Sequence, residues 1–264
     1  MTNNVPLDGE PLLTIQDLAY TFPDGTQALH NINSTINQGT FVTIIGPSGV
    51  GKSTLLRLIA NLRQPTSGQI VWHTPPPHPP PLGLVFQNNN LMPWRTAADN
   101  IRLPLELAGT PSTTIKKRVA ELLDLVGLTD FATSYPAQLS GGMAQRIAIA
   151  RALIHQPNLL LLDEPFGALD ALTRERMAAE LLHIWRAHPA VTAIMVTHSI
   201  NEAVLLADTV LVLNADSHGR GGTITSHHPI PLPRPRQQTL ETSPTFHACA
   251  QQLRQSLKLT PHRR

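Results

Sequence analysis

The chain has 264 residues, of which 41% are hydrophobic and 14% charged, with a formal net charge of +2. This is length enough for a large domain with a real core, whereas a nucleic-acid footprint would need Lys and Arg clustered on one face, so no nucleic-acid partner is expected. The single cysteine, Cys249, excludes an intrachain disulfide framework; no apolar run approaches a membrane span, and the first residues lack the basic and apolar regions of a signal peptide.

Residues 1–10 read as a loose leader. Leu12-Leu13-Thr14-Ile15 and Leu18-Ala19-Tyr20 read as strand, and Ala28-Leu29-His30-Asn31-Ile32 as the returning strand. Between them Pro23-Asp24-Gly25 makes a turn, since proline presets φ and glycine accepts a positive one. Tyr20 and Phe22 lie just before this turn, suited either to strand packing or to stacking on a base. The apolar run Phe41-Val42-Thr43-Ile44-Ile45 then leads into Gly46-Pro47-Ser48-Gly49-Val50-Gly51-Lys52-Ser53-Thr54, which fits G-x-x-x-x-G-K-[ST], and the helical pattern Leu55-Leu56-Arg57-Leu58-Ile59-Ala60 follows. Strand, loop and helix are the context a phosphate-binding loop requires. The glycines let successive N–H groups turn inward around phosphate oxygens, and the helix start adds its unsatisfied donors and positive dipole end. Lys52 is placed to reach the β- and γ-phosphates, and the Ser53 hydroxyl to bind Mg²⁺.

Pro65 and Gly68 stop that helix, and Gln69-Ile70-Val71-Trp72 is strand. Pro75-Pro76-Pro77-His78-Pro79-Pro80-Pro81 can be neither helix nor central strand and reads as a stiff surface connection. Leu82-Gly83-Leu84-Val85-Phe86 resumes as a buried strand ending on Gln87, and from residue 88 to 156 the pattern turns helical. Ser112 is the expected N-cap of a helix carrying Ile115, Val119, Leu122, Leu123 and Val126, with Gly127 placed to end it. Leu139-Ser140-Gly141-Gly142-Met143-Ala144-Gln145-Arg146 opens another helix with small residues at its start. That is a second anion-binding helix start, one that could complete the site of a neighbouring molecule.

Leu159-Leu160-Leu161-Leu162 is apolar on both faces, which predicts a central parallel strand. Asp163 and Glu164 then fall on the ligand edge of the sheet. Asp163 would support Mg²⁺ through water, and Glu164, pointing elsewhere, could polarise an attacking water. Gly167-Ala168-Leu169-Asp170 precedes a helix with Met177, Leu181, Ile184 and Trp185 turned inward. Val191-Thr192-Ala193-Ile194-Met195-Val196 is a further buried strand, ending at Thr197-His198, and Ser199-Ile200-Asn201-Glu202 fits a capping box for the next helix. His198 thus occupies a strand end, as Asp163 does, within reach of a γ-phosphate. Asp208-Thr209-Val210-Leu211-Val212-Leu213 and Thr223-Ile224-Thr225 close the sheet; a proline-rich extended stretch and a helix over about 243–257 follow. His227-His228 has no accompanying cysteine or carboxylate cluster and is not read as a metal site.

Order and spacing together resemble the ATP-binding subunit of an ABC transporter, over about residues 11–258. The loop at 46–54 matches Walker A, Gln87 resembles the Q-loop glutamine, residues 139–145 the ABC signature, 159–164 Walker B with its catalytic glutamate, 167–170 the D-loop, and His198 the switch histidine. Met143 stands where the general signature has Gln. The resemblance implies an α/β P-loop NTPase fold with a mixed sheet core, an N-terminal antiparallel β subdomain and an inserted α-helical subdomain. It implies one ATP-binding domain over 1–264: core and β subdomain at 11–87 and 157–226, helical subdomain at 88–156, and an extension at 227–264.

The implied ligands are ATP and Mg²⁺. Gly46, Ser48, Gly49, Gly51, Lys52, Ser53 and Thr54 would hold the phosphates and Phe22 would stack on adenine. Ser53, Gln87 and Asp163 would serve the metal, and Glu164, His198, Lys52 and Gln87 the hydrolysis. Ser140, Gly141 and Gly142 would reach the ATP held by the other subunit of a head-to-tail homodimer. A permease would dock near Leu91-Met92-Pro93-Trp94, holding the subunit on the cytoplasmic face of the inner membrane, with a periplasmic or extracellular binding protein as indirect partner. Phe86-Gln87 followed by those four residues, Thr197-His198-Ser199-Ile200-Asn201-Glu202-Ala203, and Leu232-Pro233-Arg234-Pro235-Arg236 resemble the nitrate/sulfonate/taurine importer branch. The alternatives are a soluble, non-transport ABC ATPase, or the ATPase subunit for another small molecule.

Overall fold

Alternating apolar and polar residues near the N-terminus form two long strands, β1 (Pro11–Thr21) and β2 (Gln27–Asn37), paired antiparallel with Leu13 opposite Ile36 and Leu18 opposite Ile32. The computed structural model describes residues 9–75, 80–216 and 221–258, and the chain divides into two compact units, Met1–Pro80 with Thr192–Arg264, and Pro81–Val191. Most of the proline run, residues 76–79, lies outside the described residues, as do residues 1–8 of the leader.

In the first unit, β3 (Phe41–Ile45) is buried throughout and runs parallel to β7 (Thr192–Val196) on one side and β8 (Thr209–Ala215) on the other. A strand flanked on both sides and covered on both faces is nearly continuous in apolar residues, the pattern read from the sequence, with Thr43 the one polar residue of β3. β4 (Ser67–Trp72) adds antiparallel to β1, and β9 (Gly222–Pro229) lies antiparallel to β8 while meeting β2 in parallel at Leu29 and Gly222. The order is β4-β1-β2-β9-β8-β3-β7, a mixed sheet with an antiparallel wing. β9 runs past the expected Thr225 because His227 and His228 pair with Leu211 and Val210. α1 (Lys52–Ile59), α6 (Ile200–Leu206) and α7 (Pro244–Lys258) complete the unit.

The C-terminal stretch is nailed to the base of β3. Asp208 accepts from Phe41 N at 2.8 Å and from Arg234 Nε at 2.9 Å. Arg236, 5% exposed, donates to the carbonyls of Val204, Ala207, Ile230 and Leu232. Burying a guanidinium is tolerable only with its donors satisfied; desolvation pushes Arg236 down to about 10, and the neighbouring Arg234 adds to the effect.

In the second unit, β5 (Leu82–Val85) is parallel to β6 (Leu159–Asp163), with Val85 opposite Leu162. Around them stand α2 (Ala97–Leu107), α3 (Ser112–Leu125), α4 (Gly141–Leu153) and α5 (Ala171–Arg186). Arg146 of α4 donates to Val126 O at 3.0 Å, at the end of α3, and pairs with Glu180 of α5 at 3.2 Å. Ser112 is not the N-cap expected of it: it is the first helical residue, and Pro111, extended at ψ 137°, holds the cap position without a side-chain bond. The end of α3 is as expected, Gly127 taking φ +63° just past the C-cap.

Candidate nucleotide-binding site

Sterics write the glycines of the loop at 46–54. A Cβ on Gly46 would come within 2.1 Å of Leu213 O, on β8, so the chain leaves β3 too close to its neighbour for any side chain. Gly51 has φ +103° and caps α1, and a Cβ there would come within 2.7 Å of Ala28 O. Pro47, Ser48 and Gly49 form the exposed tip. No side chain caps α1 and its first turn has no acidic residue, so its N-terminal donors are met by no capping side chain. Lys52 is 5% exposed, and its ammonium donates to Gly46 O and Pro47 O at 3.0 Å each. The carbonyls that offset its burial belong to the loop it would serve.

His198 lies at the same edge. β3 and β7 are parallel with Ile44 opposite Val196, so Gly46 and His198 both emerge from the C-terminal ends of adjacent strands. Thr197 N donates to Ile44 O at 3.1 Å, closing the ladder beneath them, and His198 is exposed. The capping box is realised in half: Ser199 Oγ accepts from Glu202 N at 3.3 Å, whereas Ser199 N donates to Thr197 Oγ1, which donates in turn to the Glu202 carboxylate. Thr197, buried, therefore anchors the turn that carries His198, a role the sequence did not announce. Phe22 sits on the turn between β1 and β2, with Phe22 N donating to Thr26 O at 2.8 Å.

The second unit groups the remaining residues. Gln87 and Glu164 follow the ends of the parallel strands β5 and β6. Asp163 is buried, and Glu164 has φ +46°, a left-handed turn uncommon for a side chain of its kind. Gly167 N donates to Glu164 O at 3.0 Å, and a Cβ on Gly167 would lie 3.2 Å from Gln87 Nε2, so the Gln87 amide rests against this loop. Ser140 caps α4, its Oγ accepting from Met143 N at 3.3 Å. Cβ atoms on Gly141 and Gly142 would meet Leu169 at 3.1 Å and Thr173 at 3.2 Å, so these glycines also let the helix start approach the loop before α5 and its first turn.

Asn100, wholly buried on α2, was not singled out from the sequence, and it organises the loop at 91–96. Its Oδ1 accepts from Met92 N at 2.7 Å, and its Nδ2 donates to the carbonyls of Met92, Arg95 and Thr96. Held this way, Trp94 stands 71% exposed. A lone asparagine inside an apolar helical face was the available signal.

The sequence profile described as "ABC transporter" matches residues 29–167, just over half the chain. The chain is 46% identical over 217 residues to the nitrate import ATP-binding protein NrtD of Synechococcus elongatus, covering 80% of this chain and 77% of the relative. It is 42% identical over 237 residues to the aliphatic sulfonates import ATP-binding protein SsuB of Bacillus licheniformis, covering 89% of each. Among solved structures, the dimeric ATP-binding cassette MJ0796 in a post-hydrolysis state with ADP and Pi superposes at a TM-score of 0.68 with 33% identity, over 83% of this chain and 98% of that one.

Proposed function

The chain belongs to the ABC transporter family, as an ATP-hydrolysing subunit that energises an importer, and we propose that the imported solute is nitrate, a sulfonate, taurine or a related small solute. The observation that carries the enzymatic reading is the phosphate loop: a glycine-forced turn, a buried lysine and an uncapped helix start in sequence. The solute reading rests on the identity to the nitrate and sulfonate relatives.

In this reading Gly46, Ser48, Gly49, Gly51, Ser53 and Thr54 cradle the phosphates through backbone and hydroxyl donors, and Lys52 exchanges its loop carbonyls for phosphate oxygens. Glu164 takes the proton of the attacking water, and His198 donates to the γ-phosphate. Ser53, Gln87 and Asp163 offer a hydroxyl, an amide oxygen and a carboxylate, the hard oxygen donors that suit Mg²⁺. When bound, Mg²⁺ would offset the charge that develops on the phosphate oxygens. Ser140, Gly141 and Gly142 serve the ATP of a second copy in a head-to-tail dimer, the mode suggested by an anion-binding helix start beyond the needs of one nucleotide. The exposed Trp94 and its neighbours Leu91 and Met92 dock the permease, which would hold the subunit at the cytoplasmic face of the inner membrane. Among the described residues no helix is long and apolar enough to cross a membrane.

A phosphate-release assay with Mg-ATP tests the enzymatic reading, and absence of turnover under all conditions would defeat it. Solute titrations onto the substrate-binding protein of the same transporter test the solute class; selective capture of a metal cation or a peptide, with no binding of nitrate, sulfonates or taurine, would overturn it.

A further inference from the structure

The turn that carries Phe22 is backed by a residue that none of the motifs contains. Arg63 lies just past the end of α1, the helix that begins at the phosphate loop. Its guanidinium carbon sits over the Phe22 ring at 5.2 Å from the centroid and over the Tyr20 ring at 5.4 Å. Nη1 also donates to the Tyr20 hydroxyl. Tyr20 and Phe22 meet edge to face, with centroids 5.1 Å apart and planes at 88°. Both sides of this arrangement are stitched in place: Thr66 N donates to Ala19 O and Thr21 N to Thr66 Oγ1, each at 2.9 Å. Phe22 and Arg63 are each half-buried, so part of the Phe22 ring stays open to solvent.

We infer that Arg63 is a positioning residue for the base of the nucleotide: it covers one face of Phe22, fixes the ring against Tyr20, and leaves the remaining face as the stacking platform. This rests on the reading of Phe22 as the adenine-stacking aromatic. A cation over one face is attracted by the ring quadrupole, so the ring's orientation is settled before a base arrives, and less rotamer freedom is lost on stacking. The guanidinium serves here as a flat plate that also bonds the Tyr20 hydroxyl, which a lysine ammonium could do only in part. Arg63 touches neither phosphate nor reacting atoms in this scheme, so its influence must appear in base recognition alone.

The test measures calorimetric affinity of the full chain for ATP and for inorganic tripolyphosphate, in Phe22→Ala, Arg63→Ala, Arg63→Lys and the double variant Phe22→Ala/Arg63→Ala. Stacking of a base on an aromatic ring predicts that Phe22→Ala weakens ATP by about tenfold or more while leaving tripolyphosphate unchanged. Arg63→Ala should weaken ATP by about three- to tenfold, again sparing tripolyphosphate, with Arg63→Lys falling between it and the parent. In the double variant the loss should not exceed that of Phe22→Ala alone. Equal weakening of ATP and tripolyphosphate by Arg63→Ala would mean a general structural role and overturn the inference, as would full additivity in the double variant. If Phe22→Ala weakens ATP and Arg63→Ala does not, the Arg63 inference alone fails; if Phe22→Ala leaves ATP untouched, the stacking reading fails and takes Arg63 with it.

Discussion

At the scale of single residues, Lys52 shows how one burial serves both fold and chemistry. An ammonium at 5% exposure needs oxygen partners, and the carbonyls of Gly46 and Pro47 supply them. Lys52→Ala removes the buried charge but leaves the Gly46 and Pro47 carbonyls without that donor, so stability should fall modestly, by about 1–2 kcal/mol. ATP affinity should fall by about ten- to a hundredfold, the worth of charge-assisted hydrogen bonds to phosphate; unchanged affinity in a calorimetric titration would remove Lys52 from phosphate binding. Glu164 poses a different case. Its left-handed backbone, φ +46°, aims the carboxylate by loop geometry. Glu164→Gln keeps size and backbone demand while losing the proton acceptor, so ATP binding should persist and steady-state turnover should fall by about 100- to 10,000-fold. Both residues were legible from motif spacing. Legible neither from spacing nor from composition were Thr197 and Arg63, whose partners lie far off in sequence or depend on side-chain geometry.

At the scale of elements, a helical period located α3 and α5 because burial on one face imposes it, whereas β3, β6 and β7, buried on both faces, were legible as unbroken apolar runs, and α2 lay within a helical stretch that carried no bounds of its own. Ends were less legible: Pro111 displaced Ser112 from its cap, and β9 outran its apolar stretch because pairing with β8 is a backbone matter. The loop at 91–96 was legible as sequence but not as an ordered object, since its order comes from one asparagine of α2. Asn100→Ala would leave Met92 N and three carbonyls without that side chain, costing about 1–3 kcal/mol in chemical denaturation. Trp94→Ala removes an exposed ring without that cost, so stability and basal hydrolysis should hold while permease-coupled transport falls; equal loss of hydrolysis and transport would sink the docking role. The β9–α7 pair carries a pH signature. His228 Nε2 lies 3.0 Å from both Ser226 Oγ and Ser256 Oγ, and burial holds the rings of His227 and His228 below the usual value of 6.5. The unfolded chain therefore binds protons that the folded one resists. Stability should be flat above that value and decline as pH drops below it. Thermal unfolding of His228→Asn should show a shallower acid decline than the parent.

At the scale of the whole molecule, the residues assigned to hydrolysis divide between the two units. The phosphate loop and His198 belong to the first, and Gln87, Asp163, Glu164 and the signature helix start to the second. The signature is where sequence and structure pull hardest on each other. Gly141 and Gly142 have an internal packing reason to be small, and Ser140 already caps its own helix. Neither fact requires a partner, so the dimer must be tested by a variant that spares both. Ser140→Asp does so, since aspartate caps a helix as well as serine, yet it sets a carboxylate against whatever phosphate the helix start faces. Closed two-fold pairing makes two equivalent sites, each taking its phosphate loop from one subunit and its signature from the other. A Lys52→Ala homodimer then has two defective sites, and so has a Ser140→Asp homodimer. A mixed dimer of the two concentrates both defects in one site and leaves the other with an intact loop and an intact signature. Mixing the two inactive proteins should therefore restore ATP hydrolysis that neither shows alone, and the restored rate per subunit should rise with total protein concentration until dimerisation saturates. Were loop and signature to act on the same ATP within one chain, every subunit in the mixture would carry a defect and no activity would return.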